Sequence, residues 1–404
     1  MSRLGFSTER LARIDRFLAE RYIDSGRYPC AQFVLSRRGE VVHSSVLGLR
    51  DVERGLKCEE DTLFRIYSMT KPLTSVAFMM LWEEGAVALD DPVEKYIPDW
   101  RDLGVFSGGL SGAFAATPAA RPMQVVDLLR HTSGLTYGIQ ARTNLDAAYR
   151  KLKIADSHGD LGMDETIAAL AKMPLEFSPG EAWNYSVSTD VLGYLIGRIS
   201  GMPFQDFLRT RVLQPLKMVD TDFQVAPGQE HRFAACYAIE KDGFTLQDDP
   251  ATSPFLKPPR FHSGGGGLVS TAADYLRFTH MLANRGELDG VRLLAPRTLK
   301  LMTANHLPGG QDLTHLSRSL FSESTNAGIG FGLGFAVVFD APQTLLSGSN
   351  GEFYWGGAAS TAFWIDPVEE LTAVFMTQLL PSRSYPIRRE LRTLVYSALM
   401  EPNA

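Results

Sequence analysis

The chain of 404 residues is long enough for two domains or for one large α/β body with a complete core. Its 45% hydrophobic and 21% charged residues are typical of a soluble globular enzyme and exclude a disordered or fibrous protein. A net charge of −6, without any run of basic residues, argues against nucleic-acid binding.

The chain also lacks the usual signs of membrane insertion and secretion. No apolar run approaches the length of about 18 residues that a transmembrane helix needs, so we expect no membrane span. The first residues contain no apolar segment like that of a secretory signal, which predicts a cytoplasmic location. Three scattered cysteines (Cys30, Cys58 and Cys236) are too few for a disulfide framework or a Cys-based zinc site, and we expect reduced thiols.

Hydrophobic periodicity predicts strands at both ends of the chain and short helices in its middle. In chain order, the predicted elements are a helix over 11–22, strands over 31–36 and 41–46, a helix over 68–85, a surface excursion over 104–120, helices over 123–130, 164–172, 190–199 and 204–212, a helix after Thr271, a glycine-rich strand over 328–339, strands over 361–365 and 371–377, and a closing helix over 387–400. This order favours an α+β fold with one antiparallel sheet, built from residues 1–67 and 312–404 and flanked by the terminal helices. Residues 68–311 form a second, mainly helical domain in this interpretation.

Two glycine-rich segments resemble nucleotide-binding loops only superficially. Residues 263–267 precede a helix whose start, Thr271 to Asp274, fits a capping box, but no Gly-Lys-Ser/Thr follows. We expect a structural loop that passes close to other backbone. Residues 328–335 alternate glycine with apolar residues and lead into no helix, which predicts a tightly packed strand. The eight histidines contain no His-Glu-x-x-His, and we expect neither a metal nor another cofactor.

The segment from Ser68 to Lys71 offers a nucleophile and its activator. Residues three apart on a helix share a face, so the Lys71 ammonium can lie beside the Ser68 hydroxyl. Pro72 is tolerated only in a first turn, which places the helix start near Ser68. A serine becomes a strong nucleophile when a neighbouring base takes its proton. A surface pair remains the alternative, because about one Ser-x-x-Lys is expected by chance in a chain of this length.

Tyr185 lies in a second candidate segment, residues 179–190, which leads from a turn into a helix. An aromatic residue in this position is usually part of the core, and this alternative stays open. A lysine ammonium nearby would stabilise the phenolate form of the tyrosine. Such a tyrosine can accept the serine proton and later deliver it to the leaving group.

Three motifs taken together resemble a known family. Ser68-x-x-Lys71, Tyr185-Ser186-Val187 and Trp355-Gly356-Gly357 occur in the order found in family VIII carboxylesterases, which belong to the serine β-lactamase-like group of class C β-lactamases and penicillin-binding proteins. Segments 81–92, 128–135 and 263–274 are similar to the same group. The resemblance runs from about residue 10 to the C-terminus.

The resemblance implies a β-lactamase-like fold with the active site at the interface of the two domains. It implies that Ser68 is the acylated nucleophile, that Lys71 is its activator and that Tyr185 is the general base and acid. The backbone N–H groups of Ser68 and Ala358 would form the oxyanion hole. The substrate-binding residues that it implies are Trp355, which would line the acyl or alcohol pocket, Gly356, Gly357 and Val187.

Two departures from the group indicate the substrate. Penicillin-recognising relatives carry a Lys-Thr/Ser-Gly strand whose lysine engages the β-lactam carboxylate, but here no lysine follows Lys300 and Trp355 takes that place. They also carry asparagine two residues after the tyrosine, where this chain has Val187. Both changes replace polar groups with apolar ones, which favours a neutral ester over an anionic β-lactam.

We therefore expect a serine carboxylesterase whose partner is a small, short-chain carboxylic ester, with weak β-lactam hydrolysis left open. The alternatives are an acyltransferase to an alcohol or amine, a D-aminopeptidase or amidase, and a non-catalytic binding protein of the same fold. The absence of Gly-x-Ser-x-Gly disfavours an α/β-hydrolase. His131 is expected to have a structural, hydrogen-bonding role, because the serine already has a base. The oligomeric state stays open.

Overall fold

The computed structural model describes residues 4–110, 112–241, 243–318 and 326–403. Strands from both ends of the chain form its main sheet. These strands are β1 (Cys30–Arg37), β2 (Glu40–Asp51), β3 (Leu56–Lys57), β12 (Ile329–Phe331), β13 (Ala336–Val338), β14 (Phe353–Gly356), β15 (Ala362–Asp366) and β16 (Leu371–Met376). In the described ranges they pair antiparallel in the order β12-β13-β14-β15-β16-β1-β2-β3.

Short strands form four smaller sheets within the described ranges. They are β4 (Phe64–Arg65) with β9 (Val269–Ser270), β5 (Val105–Leu110) with β6 (Ala113–Thr117), β7 (Cys236–Glu240) with β8 (Gly243–Asp248) and β17 (Leu379–Leu380), and β10 (Glu287–Leu288) with β11 (Val291–Arg292). The β5–β6 hairpin is the surface excursion predicted over 104–120.

The helices of the described ranges alternate with short 3₁₀ and π turns. They are α1 (Thr8–Leu18), α2 (Thr70–Glu83), α3 (Val125–Leu129), α4 (Asn144–Lys151), α5 (Met163–Leu170), α6 (Ser188–Ser200), α7 (Phe204–Leu208), α8 (Ala272–Ala283), α9 (Pro296–Met302), α10 (Leu313–Leu316), α11 (Ala341–Thr344) and α12 (Ile387–Ala398). None of these helices is long and apolar enough to cross a bilayer.

The central strands β1, β15 and β16 are buried on both faces, because their side chains alternate between two cores. In β16, Phe375 joins the core beneath the terminal helices α1 and α12, whereas Val374 joins the larger core on the other face. Helix α8 covers that second face, and Tyr275 packs against Phe363 with their ring centroids 5.3 Å apart. The sheet layer thus includes a helix from the range 68–311, which the sequence assigned to the helical domain.

Helix α2 is the central helix of the larger core. It is buried along nearly its whole length and packs against α6 and α7. A helix that is apolar on all sides is stable only inside the protein. Its N-terminal end reaches the boundary with the sheet, where the 3₁₀ turn Tyr67–Met69 contacts β14. The predicted α+β architecture, with an antiparallel sheet built from both ends of the chain and flanked by the terminal helices, is therefore confirmed.

The single glycine-rich strand predicted over 328–339 is wrong. The segment forms two strands, β12 and β13, which pair with each other around a tight turn. Gly334 has a φ of +99°, and the N–H of Gly332 donates to the Phe335 carbonyl at 2.8 Å. Because Leu333 is also apolar, the alternation of glycine and apolar residues continues through the turn and conceals it.

Candidate active site

Ser68 lies in the 3₁₀ turn Tyr67–Met69, directly before α2. Tyr67 has a φ of +42°, an uncommon conformation for a large side chain that turns the backbone sharply before the nucleophile. Ser68 is half-buried. Its N–H group belongs to a first helical turn, where N–H groups have no acceptor within the helix. The candidate nucleophile therefore has an accessible hydroxyl and an adjacent backbone donor.

Lys71 lies in the first turn of α2 and only 2% of it is exposed. Its ammonium donates to Ser68 Oγ at 3.4 Å, to the Tyr137 hydroxyl at 3.1 Å and to the carbonyl oxygen of Gly265 at 2.6 Å. An ammonium has three N–H donors and no acceptor, so these three oxygens use its full capacity. The spacing predicted for Ser68 and Lys71 is thus present, and two further groups hold the lysine in place.

The glycine-rich loop 263–267 supplies one of those groups. A Cβ on Gly265 would lie 2.6 Å from Asp190 Oδ2 and 2.7 Å from the Tyr137 hydroxyl. Only glycine therefore lets the loop carbonyl approach Lys71 so closely. The loop is a structural one that passes close to other groups, as predicted, and it also completes the surroundings of the lysine.

Asp190, which is buried, and Tyr137, which is half-buried, form a hydrogen-bonded pair behind Lys71. The Tyr137 hydroxyl donates to Asp190 Oδ2 at 3.3 Å, while Oδ1 accepts from Ser263 Oγ at 2.5 Å and from the Gly265 N–H at 2.9 Å. Burial raises the pKa of Asp190, and the Lys71 charge acts against that shift. Burial and the Asp190 charge raise the pKa of Tyr137 well above its usual value, so its hydroxyl remains protonated.

Tyr185 lies on the other side of Lys71. Its ring centroid is 4.5 Å from the ammonium nitrogen, and its ring is 5.4 Å from that of Tyr137. The short segment before α6 holds Tyr185 in this position, and only 5% of it is exposed. The structure therefore brings Ser68, Lys71 and Tyr185 together, with the lysine in contact with both of the others.

His131 packs against the candidate site without entering its charge network. It is 1% exposed, its ring lies 5.0 Å from that of Tyr185, and Nδ1 lies 3.3 Å from Ser186 Oγ. Burial, assisted by the Lys71 charge, lowers the pKa of His131 well below its usual value. The imidazole is therefore neutral, in agreement with the structural role expected for it.

The segment Trp355–Ala358 runs along the other wall of the site. A Cβ on Gly357 would lie 2.5 Å from the Ile66 carbonyl oxygen, so glycine allows this segment to touch the turn that carries Ser68. Gly357 N–H donates to the Thr361 carbonyl at 2.9 Å. In the described ranges, the Ala358 N–H has no hydrogen-bond acceptor. The N–H group that the family resemblance implies as an oxyanion-hole donor is thus not engaged within the described ranges.

The structure treats the two predicted apolar contacts differently. Trp355 is half-buried, and its ring lies 5.4 Å from both Tyr185 and Phe331. Val187 is 0% exposed, belongs to the larger core and precedes the first turn of α6. Trp355 is therefore available to a substrate, whereas Val187 supports the site from below.

Sequence reasoning missed Tyr137, Asp190 and the Gly265 carbonyl. Asp190 is the last residue of the segment 179–190. An aspartate in the buried first turn of a helix is a signal that the sequence offers. Tyr137 follows the quoted segment 128–135 by two residues. No local pattern indicates that these groups meet Lys71, because Gly265 lies 194 residues after Lys71 in the chain.

Replacing Tyr137 with phenylalanine is expected to lower kcat about ten- to hundredfold, since a hydrogen bond to a charged group contributes ~1.5–3 kcal/mol. The change removes one acceptor from Lys71 and one donor from Asp190. Steady-state hydrolysis of a p-nitrophenyl ester measures the effect. Tyr149→Phe, in a buried tyrosine of α4, is the matched control. An unchanged kcat in Tyr137→Phe would show that Lys71 needs no such support.

Comparisons with known proteins agree with this geometry. The beta-lactamase family model matches residues 14–397. Protein Rv1367c of Mycobacterium tuberculosis strain H37Rv is 36% identical over 364 residues, which are 89% of this chain and 88% of that protein. Esterase EstB of Burkholderia gladioli is 30% identical over 406 residues, with 96% and 94% covered.

Solved structures show the same similarity. The structure of EstCE1, described as a hydrolase with promiscuous acyltransferase activity, has a TM-score of 0.80 and 25% sequence identity, and covers 97% of this chain and 99% of that one. In the described ranges, no cluster of three or more histidine, cysteine or acidic side chains could hold a metal ion. The match over nearly the whole length shows that this chain belongs to the beta-lactamase family.

Proposed function

We propose that the protein is a family VIII-type serine carboxylesterase that hydrolyses small, short-chain carboxylic esters through an acyl-enzyme on Ser68. One observation carries the proposal: the buried Lys71 ammonium contacts both the Ser68 hydroxyl and the Tyr185 ring, while Nδ1 of the nearby His131 lies 3.3 Å from Ser186 Oγ. This arrangement supplies a serine with a base that is not histidine.

In the proposed mechanism, the Lys71 ammonium beside the Tyr185 ring stabilises negative charge on the phenol oxygen, which lets Tyr185 act as the base. Tyr185 takes the Ser68 proton as Oγ attacks the ester carbonyl, whose π electrons move to the oxygen. The N–H groups of Ser68 and Ala358 stabilise this oxyanion. Its collapse breaks the bond to the alcohol, which leaves with the proton from Tyr185. Water then attacks the acyl-enzyme while Tyr185 takes its proton. Tyr185 returns a proton to Ser68 Oγ as the carboxylic acid leaves.

The chemistry of the cleft supports a neutral ester. Trp355 stands at the position where penicillin-recognising members of the group place a cationic lysine. An anionic β-lactam would thus lose its charged partner. The 30% sequence identity with Esterase EstB also supports a carboxylic ester as the substrate.

Transfer of the acyl group to an alcohol or amine is the second candidate. The similarity to a structure described as having promiscuous acyltransferase activity favours it specifically. The acyl-enzyme is common to both reactions, and only the acceptor differs. Adding methanol during turnover and measuring the ratio of methyl ester to free acid would distinguish hydrolysis from transfer.

The decisive test is the hydrolysis of p-nitrophenyl acetate, butyrate and octanoate beside nitrocefin. We expect rapid cleavage of the two short esters and little nitrocefin turnover. Strong nitrocefin turnover would contradict the ester assignment and favour β-lactam hydrolysis. No turnover of any of these substrates would contradict the proposed function.

Replacing Trp355 with alanine is expected to change the acyl-length preference. Removing the indole opens the wall beside Tyr185, and pocket contacts of this kind discriminate by ~1–3 kcal/mol for each methylene. We expect the octanoate-to-acetate ratio of kcat/KM to rise at least about tenfold. Trp355→Phe keeps an aromatic wall and is the matched control. An unchanged chain-length profile would place Trp355 outside the acyl pocket.

A further inference from the structure

Arg388, in the first turn of the C-terminal helix α12, reaches the back of the segment that carries Ala358. Its Nη2 donates to the carbonyl oxygen of Gly357 at 3.0 Å and to that of Thr361 at 2.9 Å. A Cβ on Gly356 would lie 2.5 Å from the same nitrogen, so glycine leaves the space that the guanidinium occupies. The Arg388 guanidinium therefore occupies space at the end of β14 that a side chain at position 356 would fill.

The two carbonyls bound by Arg388 belong to one closed turn. Gly357 N–H donates to the Thr361 carbonyl at 2.9 Å, and Ser360 N–H donates to the Gly357 carbonyl at 3.2 Å. Arg388 adds a second hydrogen bond to each of these carbonyls, and it is the charged donor among the three groups that bind them.

The Gly357 carbonyl and the Ala358 N–H are parts of one peptide group. In a trans peptide the C=O and N–H bonds point in opposite directions within one plane. The carbonyl points to Arg388 at the back of the segment, so the N–H points away from α12. It has no acceptor in the described ranges, and the segment touches the Ser68 turn at Gly357.

We infer that Arg388 is a positioning residue for the oxyanion hole: it fixes the Gly357–Ala358 peptide so that the Ala358 N–H points at the developing oxyanion. This inference rests on the proposed function, since it requires acyl transfer at Ser68. A fixed donor costs no reorganisation during the reaction, which is the main source of oxyanion stabilisation. The positive charge bound to the carbonyl also polarises the peptide and strengthens its N–H as a donor.

Arg388 touches no substrate in this mechanism, so its removal should affect the transition state more than substrate binding. For Arg388→Met we expect kcat to fall about ten- to hundredfold, which is no more than the effect of removing a complete oxyanion-hole donor. We expect KM to change less than about threefold. Arg388→Lys should recover part of the loss, since an ammonium can reach one of the two carbonyls. Arg389→Met, in the exposed neighbouring arginine, should behave like the wild type.

The distinguishing measurement compares p-nitrophenyl butyrate with its thiono analogue, in which sulfur replaces the carbonyl oxygen. A well-fixed oxyanion hole discriminates strongly against the larger, weaker acceptor, so the wild type should show a high ratio of oxygen to sulfur rates. In Arg388→Met we expect that ratio to fall several-fold, because the donor is no longer held. General damage to the fold would lower both rates equally.

Three outcomes would overturn the inference: an unchanged kcat in Arg388→Met, an unchanged oxygen-to-sulfur ratio despite a lower kcat, or an equal loss in Arg389→Met. Failure of the proposed function is recognised separately, because the wild type would then not release p-nitrophenolate from the oxygen ester. The p-nitrophenolate burst reports acylation of Ser68 whether water or an alcohol is the later acceptor.

Discussion

Replacing Ser68 with alanine is expected to lower ester hydrolysis by on the order of 10⁴-fold or more, because no acyl-enzyme can form without the nucleophile. The side chain is half-buried and its contact with Lys71 is the longest of the three that the ammonium makes. The free energy of unfolding should therefore change by no more than about 1 kcal/mol. Initial rates with p-nitrophenyl butyrate and a thermal unfolding curve measure the two quantities.

A covalent probe gives an independent readout. A fluorophosphonate should label the wild type at Ser68, as identified by peptide mass spectrometry, and should not label Ser68→Ala. Ser44→Ala, in an exposed serine of β2, is the matched control and should retain both labelling and activity. Substantial hydrolysis by Ser68→Ala would refute the nucleophile assignment, and labelling at another serine would show where the chemistry takes place.

Replacing Tyr185 with phenylalanine is expected to lower kcat by on the order of 10² to 10⁴, the usual contribution of a general acid–base group. The ring that packs near Lys71, His131 and Trp355 is kept, so packing should be little affected. Pre-steady-state kinetics with p-nitrophenyl acetate would show whether acylation is slowed. A smaller effect on activated p-nitrophenyl esters than on alkyl esters is expected, since p-nitrophenolate leaves without a proton.

Tyr194→Phe is the matched control, because it also removes a phenol hydroxyl. Tyr194 is a half-buried residue of α6, the helix that follows Tyr185. The rate of Tyr194→Phe should equal that of the wild type. A near-normal rate in Tyr185→Phe would contradict the assignment of Tyr185 as the general base and acid.

The fold was predictable where patterns are local. The strands 31–36 and 41–46 are recognisable because their apolar residues and the intervening Arg-Gly turn lie close in the chain, and they form the β1–β2 hairpin. The turn at Gly332–Gly334 was missed because its residues continue the pattern of the strands around it. The position of α8 on the sheet was also missed, since amphipathicity shows that a helix has a buried face but not what covers it.

For the candidate site too, a residue is predictable from the sequence where its role depends on local spacing. The relation of Ser68 to Lys71 is a consequence of helical spacing, and therefore needs no tertiary information. Tyr185 and Ala358 required a resemblance to relatives, because they come from distant segments. The Gly265 carbonyl and Arg388 form hydrogen bonds with distant segments, which no spacing rule contains. The two glycines beside Trp355 are visible in the sequence, but only the structure shows which groups they leave room for.

The pairing of β1 with β16 at the middle of the sheet has a consequence for synthesis. Gln32 pairs with Met376, so β1 leaves the ribosome roughly 340 residues before its neighbour. At about 5 to 20 residues per second, the wait lasts about 20 to 70 s. Throughout that time, one edge of a strand that is completely buried in the finished sheet stays open to other chains. We therefore expect the newly made β1–β2 hairpin to be open to chaperone binding or aggregation until β16 is synthesised.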